Sequence, residues 1–191
     1  MKITDEQQFN KILVHPRAYG FRSLFTEVQV TCDYPKEYEP MVKALSIRSR
    51  KKRIAFIYDG ACERIDKYNE ENGLMCSFKD SRCGDSDNPG RINGCCYRCK
   101  YQSSKGCPSK NLTCKFYFCP KMRKLGPLTA EDFPEFKILS LRQQYILKNN
   151  PYCTRESFLR ALNIGSILLF FLYSTVKPLN MFIGERRNRK L

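Results

Sequence analysis

The sequence predicts an α+β protein, mostly helical, with a short N-terminal β element and a cysteine-rich loop region ordered by metal. Three observations carry this reading. Apolar residues recur at three- and four-residue steps on both sides of the middle of the chain. Strict alternation is confined to a short stretch near the N-terminus. Eight of the eleven cysteines fall within residues 76–119, where aliphatic side chains are nearly absent.

The elements follow in order. Residues 4–14 read as a helix: Thr4 is placed to cap it, Gln7 to complete a capping box, and Phe9, Ile12 and Leu13 share one face. From Phe21 to Tyr34 the apolar residues Leu24, Val28, Val30 and Cys32 alternate with polar ones, predicting one or two strands before a turn at Pro35 and Pro40. Met41 to Asn72 is helical by periodicity, through Met41, Leu45, Ile54, Ile57, Ala61, Ile65 and Tyr68. Gly60 is a candidate break and Gly73 a candidate C-cap. Within this span Arg48-Ser49-Arg50-Lys51-Lys52-Arg53 is the densest charge block; it reads as a solvated helix face, with a phosphate-contacting patch as the sharper alternative.

Residues 74–127 change character. Gly84, Gly90, Gly94, Gly106 and Gly126, with Pro89, Pro108, Pro120 and Pro127, exclude a long helix. Leu74, Ile92, Leu112 and Leu125 are the only aliphatic residues there, too few to offset the chain entropy of ordering the segment. Helical signals return at Thr129, which with Asp132 forms a second capping-box pattern. Phe136, Leu139, Leu141, Tyr145 and Ile146 are assigned to the helix that follows, and Asn149-Asn150-Pro151 to its end. Thr154 opens a last helix through Phe158, Leu159 and Leu162 into the apolar run Ile167–Tyr173. The chain thus divides into an N-terminal α+β region (1–73), a cysteine-rich metal-binding region (74–127) and a C-terminal helical region with an apolar last helix (128–191).

The polar N-terminus lacks the apolar core of a secretory signal, which predicts a cytoplasmic, reducing setting. There clustered cysteines point to metal ligation rather than to disulfides. The sequon Asn111-Leu112-Thr113 carries no meaning for a chain that stays inside the cell. Thiolates bind zinc or iron tetrahedrally, and short loops between paired cysteines let two sulfurs reach one ion. Cys96-Tyr97-Arg98-Cys99 has the two-residue spacing of half a site; Cys107, Cys114 and Cys119 follow and can complete it. Cys76, Cys83 and Cys95 can supply most of a second site; the side chains of vicinal Cys95 and Cys96 diverge, so either the two serve different centres or one is a spare. The only histidine, His15, is remote and reads as a loop residue, so the centres are expected to be all-cysteine. That set suits structural zinc or an iron–sulfur cluster and not the open coordination of hydrolytic zinc.

The order of residues from Cys95 onward is a vicinal pair Cys95-Cys96, then Cys99-Lys100-Tyr101, Gly106-Cys107 and Cys114-Lys115-Phe116-Tyr117. Over residues 95–119 it resembles the bacterial zinc- or iron-chelating cysteine-cluster proteins. The resemblance implies metal binding and says little about a reaction.

The formal charge of +15 predicts an acidic partner, nucleic acid or an anionic surface. Two four-thiolate sites, each carrying about −2, would lower it to roughly +11. Between Asp87 and Glu131 there is no acidic residue, and nine cations interleave with Tyr97, Tyr101, Phe116, Tyr117 and Phe118. That pattern is what a zinc-stabilised module for single-stranded nucleic acid uses; the plainer reading is that the cations neutralise thiolates and the aromatics form the small core of the loop. From Ala161 to Val176 the chain is apolar on every side, shorter than the roughly 20 residues of a membrane span. It reads as a buried helix or a homodimer interface; a membrane-inserted stretch over 161–183 is the alternative, and with it a membrane-associated redox or maturation factor. No catalytic motif is present: there is no phosphate-binding glycine loop and no metalloprotease pattern, and Asp59, Glu63 and Asp66 read as an exposed helix face.

Overall fold

Asp5, one residue later than the sequence suggested, caps the first helix: its Oδ1 accepts from the Gln8 amide at 2.8 Å. The computed structural model describes residues 1–74, 78–79, 82–83, 111–117, 120–150 and 153–164, and of 78–79, 82–83 and 120–121 it describes the backbone alone. The architecture is mostly helical, with a two-stranded parallel sheet at the N-terminus. The chain separates into two compact units, one of residues 1–63 and 129–148, the other of residues 64–128 and 149–191.

The first unit begins with β1 (Lys2–Ile3), which pairs in parallel with β2 (Gln29–Val30) in the register Lys2↔Gln29 and Ile3↔Val30. The Gln29 amide donates to the Met1 carbonyl and the Thr31 amide to the Ile3 carbonyl, each at 2.8 Å. Between the strands lie α1 (Glu6–Val14) and α2 (Pro16–Arg22). Proline at the first helical position has no N–H to leave orphaned, so α2 starts immediately after His15 ends α1. The expected strands over Phe21–Tyr34 are corrected accordingly. Phe21 and Arg22 finish a helix, and only Gln29–Val30 is extended in a ladder.

A 3₁₀ turn, Lys36–Tyr38, leads into α3 (Glu39–Ser46) and then α4 (Arg50–Glu71). Gly60 does not divide this span. The break falls at Ile47, whose backbone is extended, and α4 restarts after Ser49, whose hydroxyl accepts from the Lys52 amide at 3.5 Å. After the second unit's insert, the capping box of Thr129 and Asp132 is present, with the Thr129 amide donating to Asp132 Oδ2 at 2.7 Å. It opens only a 3₁₀ turn, Ala130–Asp132, followed by a second, Pro134–Ile138. Phe136 and Leu139 therefore precede the helix assigned to them. A further box, Ser140 with Gln143, starts α7 (Leu141–Asn149): the Ser140 amide donates to Gln143 Oε1 at 2.9 Å and the Gln143 amide to Ser140 Oγ at 3.3 Å.

Ile3, Phe9, Ile12, Val28, Met41, Leu45, Ile54, Ile57 and Phe133 are buried in the core of this unit. Full burial of such side chains stabilises by roughly 1.5–3 kcal/mol each before entropy is counted. The Phe9 ring stacks on Tyr34 at 5.5 Å and meets Tyr38 edge-on at 6.0 Å. α2 and α3 both pack on the Pro134–Ile138 turn. The approach of α2 is close enough that a Cβ on Gly20 would run into the Ile138 carbonyl oxygen.

In the second unit the end of α4 closes in a Schellman turn. Gly73 adopts φ +65°, its amide donates to Glu70 O at 3.3 Å, and the Leu74 amide donates to Asn69 O at 2.7 Å. The expected C-cap is thus in place. β3 (Phe78–Lys79) and β4 (Arg82–Cys83) form an antiparallel pair. Short helices α5 (Leu112–Lys115) and α6 (Pro120–Arg123) follow, and the Tyr68 hydroxyl donates to the Gly126 carbonyl at 3.0 Å. α8 (Arg155–Asn163) starts at Thr154 as expected, its hydroxyl accepting from the Ser157 amide at 3.3 Å. It does not run on into the apolar stretch: Ile164 is extended and terminates it. Among the described residues no helix is long and apolar enough to cross a membrane, and the run beyond Ile164 lies outside them.

Candidate metal centre

Of the eight candidate ligands, Cys76, Cys95, Cys96, Cys99, Cys107 and Cys119 lie outside the described residues. Cys83 is described by its backbone, paired with Phe78 in the β3–β4 ladder. Cys114 alone is described in full, half-buried on α5. Among the described residues no three or more His, Cys, Asp or Glu side chains gather as a metal site, and no disulfide joins two of the described cysteines. His15 is an exposed residue at the α1–α2 junction, as read from the sequence.

What the structure adds is the framework around Cys114. Asn111 precedes α5 in an extended conformation, as an N-cap does, and its Oδ1 accepts from the Cys114 amide at 3.0 Å. This side chain is only 1% exposed. Its Nδ2 donates to the carbonyls of Asn150 at 3.2 Å and Cys153 at 3.0 Å, and lies 3.4 Å from Cys153 Sγ. One carboxamide therefore holds the start of α5 and the approach to α8 together. Burying a carboxamide is costly unless its donors and acceptor are used, and here both ends are. The same residue is the sequon asparagine, and its nitrogen faces inward.

Next to Cys114, Lys115 is 9% exposed and its ammonium pairs with the Asp66 carboxylate of α4. A lysine this buried needs such a partner. Sequence alone assigns Asp66 to an exposed acidic face; it is exposed, as are Asp59 and Glu63, but it also bonds across to α5. Charge complementarity hints at the contact, though no local spacing marks it. Cys153, 5% exposed, is the other residue the sequence left aside.

The charge block divides in two. Arg48, Arg50, Lys51 and Lys52 are exposed, in keeping with a solvated face. Arg53 is 4% exposed and points into the first unit. Its Nε donates to the Ala44 and Ile47 carbonyls at 3.1 Å, Nη1 to Gly20 at 3.0 Å, and Nη2 to Ser23 at 2.6 Å and Ile47 at 2.7 Å. These carbonyls end α2 and α3, where the backbone lacks intrahelical donors and carries partial negative charge. Burial pushes the Arg53 pKa down, helped by the nearby positive charge of Arg50. Guanidinium starts so far above neutrality that it stays charged.

No family model, curated protein or solved structure matches the chain.

Proposed function

We propose that the chain is a metal-binding protein whose cysteine-rich segment holds an all-cysteine zinc or iron–sulfur centre in a structural or redox role, with Cys96, Cys99, Cys107, Cys114 and Cys119 as principal ligands. Cys76, Cys83 and Cys95 form the second group. The observation that carries this reading is the eight thiols within residues 76–119 beside so few aliphatic residues. The donor set fits a thiophilic cation, and metal supplies the ordering free energy that apolar burial there cannot. Cys114 supports it structurally: it is half-buried on a short helix tied by Asn111 to a buried framework, a rigid mount for a ligand.

Anaerobic purification followed by metal and acid-labile sulfide analysis tests the proposal. Zinc in stoichiometric amount, or iron with sulfide, supports it; protein free of both, with its cysteines paired by oxidation, overturns it. Chelation is expected to unfold residues 76–119 while the helices of the first unit keep their amide protection.

Exposed Arg48, Arg50, Lys51 and Lys52 favour a second reading, a zinc-stabilised nucleic-acid-binding protein. Retention on single-stranded nucleic acid that weakens steeply with salt supports it, and no retention at low salt removes it. The homodimer and membrane readings of 161–183 fall mainly outside the described residues.

A further inference from the structure

We propose that the end of α2 and the start of α4 form a docking surface for an anionic lipid bilayer, with Phe21 and Phe25 as the side chains that enter it. The inference goes beyond the metal-centre reading and does not depend on it, since every residue it uses belongs to the first unit. Two stretches of sequence without a carboxylate meet at this place. Residues 7–26 carry Lys11, Arg17 and Arg22 and no acidic residue. Residues 40–58 carry Lys43, Arg48, Arg50, Lys51, Lys52 and Arg53, again with no acidic residue. Arg53 joins the two: Nη1 donates to the Gly20 carbonyl at 3.0 Å and Nη2 to the Ser23 carbonyl at 2.6 Å, on either side of Phe21 and Arg22.

Arg22, Arg48, Arg50, Lys51 and Lys52 are exposed, and among the described residues none of them pairs with a carboxylate. The nearest carboxylate along the chain from Phe25, Glu27, accepts instead from Gln29 Nε2 at 2.8 Å. Crowded like charges repel, so the surface favours a partner that brings negative charge. Beside these cations two large apolar rings stand in solvent, Phe21 64% and Phe25 65% exposed. One such residue would be ordinary; a touching pair rimmed by cations marks an interaction surface. Two features favour lipid over the nucleic acid of the second reading. The rings meet edge to face, 5.4 Å apart and at 70°, so they present joint apolar bulk rather than parallel faces for successive bases. The other large exposed apolar residue close by, Leu141, has no ring to stack; Arg17 of α2 reaches its helix, α7, at Gln144 Oε1 across 3.4 Å. Apolar side chains for the acyl boundary and Lys and Arg for the headgroups are what an anionic bilayer takes.

The chain contains no tryptophan, so Phe25→Trp in the full-length protein places its only indole on this surface. With vesicles of equimolar phosphatidylcholine and phosphatidylserine the emission should shift to the blue, and phosphatidylcholine brominated on its acyl chains should quench it. Pure phosphatidylcholine vesicles should give no shift, and salt should weaken the one seen with phosphatidylserine. In that background, Arg50→Gln with Lys51→Gln should weaken partitioning about 25-fold, about fivefold for each cation removed. Phe21→Ser should weaken it about tenfold. Lys36→Gln, at a cation set among Asp33, Glu37 and Glu39, should leave it unchanged. Circular dichroism checks that each variant keeps its helices. An indole that keeps its aqueous emission while the chain binds vesicles overturns the inference, since insertion of residues 161–183 would produce binding of that kind. An indole unmoved by vesicles but quenched by a single-stranded oligonucleotide also overturns it and gives the surface to nucleic acid. So does undiminished partitioning in the folded Arg50→Gln, Lys51→Gln variant.

Discussion

The Arg53 guanidinium donates to the Ser23 carbonyl at 2.6 Å, joining the first turns of α4 to the C-terminal end of α2. Because it also serves Gly20, Ala44 and Ile47, one cation closes two helix ends.

Arg53→Met is accordingly expected to destabilise the first unit by about 3 kcal/mol or more, since it leaves several buried carbonyls unpaired at once. Arg53→Lys should recover only part of the loss: an ammonium keeps the charge but lacks the planar fork that reaches four carbonyls. Denaturant unfolding of the three proteins checks the order. Equal stability of the lysine variant and the parent would show that charge alone matters.

Two glycines, one inside α4 and one just past its end, should respond to alanine with opposite signs. Gly60 lies inside the helix with open space where a side chain would project: beyond its chain neighbours and the surrounding helix backbone, no described atom lies within 4 Å of the position a Cβ would take. Gly60→Ala should therefore stabilise by about 0.5–1 kcal/mol. Gly73 holds φ +65° in the Schellman turn, and Gly73→Ala should destabilise by about 1 kcal/mol. Paired thermal melts decide the matter, and a shared sign would contradict the helix boundaries.

Asn111→Ala removes a cap and two carbonyl contacts together, a loss of about 2–3 kcal/mol to the second unit. Asn111→Asp keeps the acceptor for the Cys114 amide but loses both donors, so it should restore protection at Cys114 without restoring the link to Cys153. Hydrogen exchange at these two positions separates the effects.

Lys43 holds the Glu39 carboxyl below the usual carboxylate range, by hydrogen bonding first and by charge second, across 2.6 Å. The sign follows from the lowered folded value. The contribution is complete above the unfolded carboxylate pKa of about 4.3 and disappears as pH falls through the folded one. An NMR titration should give Glu39 a depressed midpoint that Lys43→Gln moves upward. An unmoved midpoint would mean that the pair is not formed in solution.

Features that depend on near neighbours were legible in the sequence. The Thr129–Asp132 box, the Thr154 cap and the Gly73 turn each need only a few adjacent residues of the right type. Errors arose where a long-range partner decided the outcome. Arg53 belongs to a run that reads as solvated, and only the convergence of α2 and α3 on it reveals its inward direction. The alternation from Phe21 to Tyr34 suggests strands only while the helix started by Pro16 at its first position is overlooked. Spacing draws attention to Cys114, whereas its link through Asn111 to the Cys153 carbonyl is seen only once the fold has brought these residues together. Gly60 misleads because a single glycine costs a long helix far less than its many hydrogen bonds and packed residues supply.

Asn111 also places a limit on the history of the molecule. The nitrogen to which a glycan would be joined is the atom that donates to Asn150 and Cys153 in the interior. Glycosylation and this native arrangement are therefore mutually exclusive outcomes for one chain. If the protein were routed through a glycosylating compartment, a transferase could reach the site only before folding, and a modified chain could not then seat α5. Occupancy of the sequon would thus report how slowly the second unit folds, with every modified copy diverted from the native state.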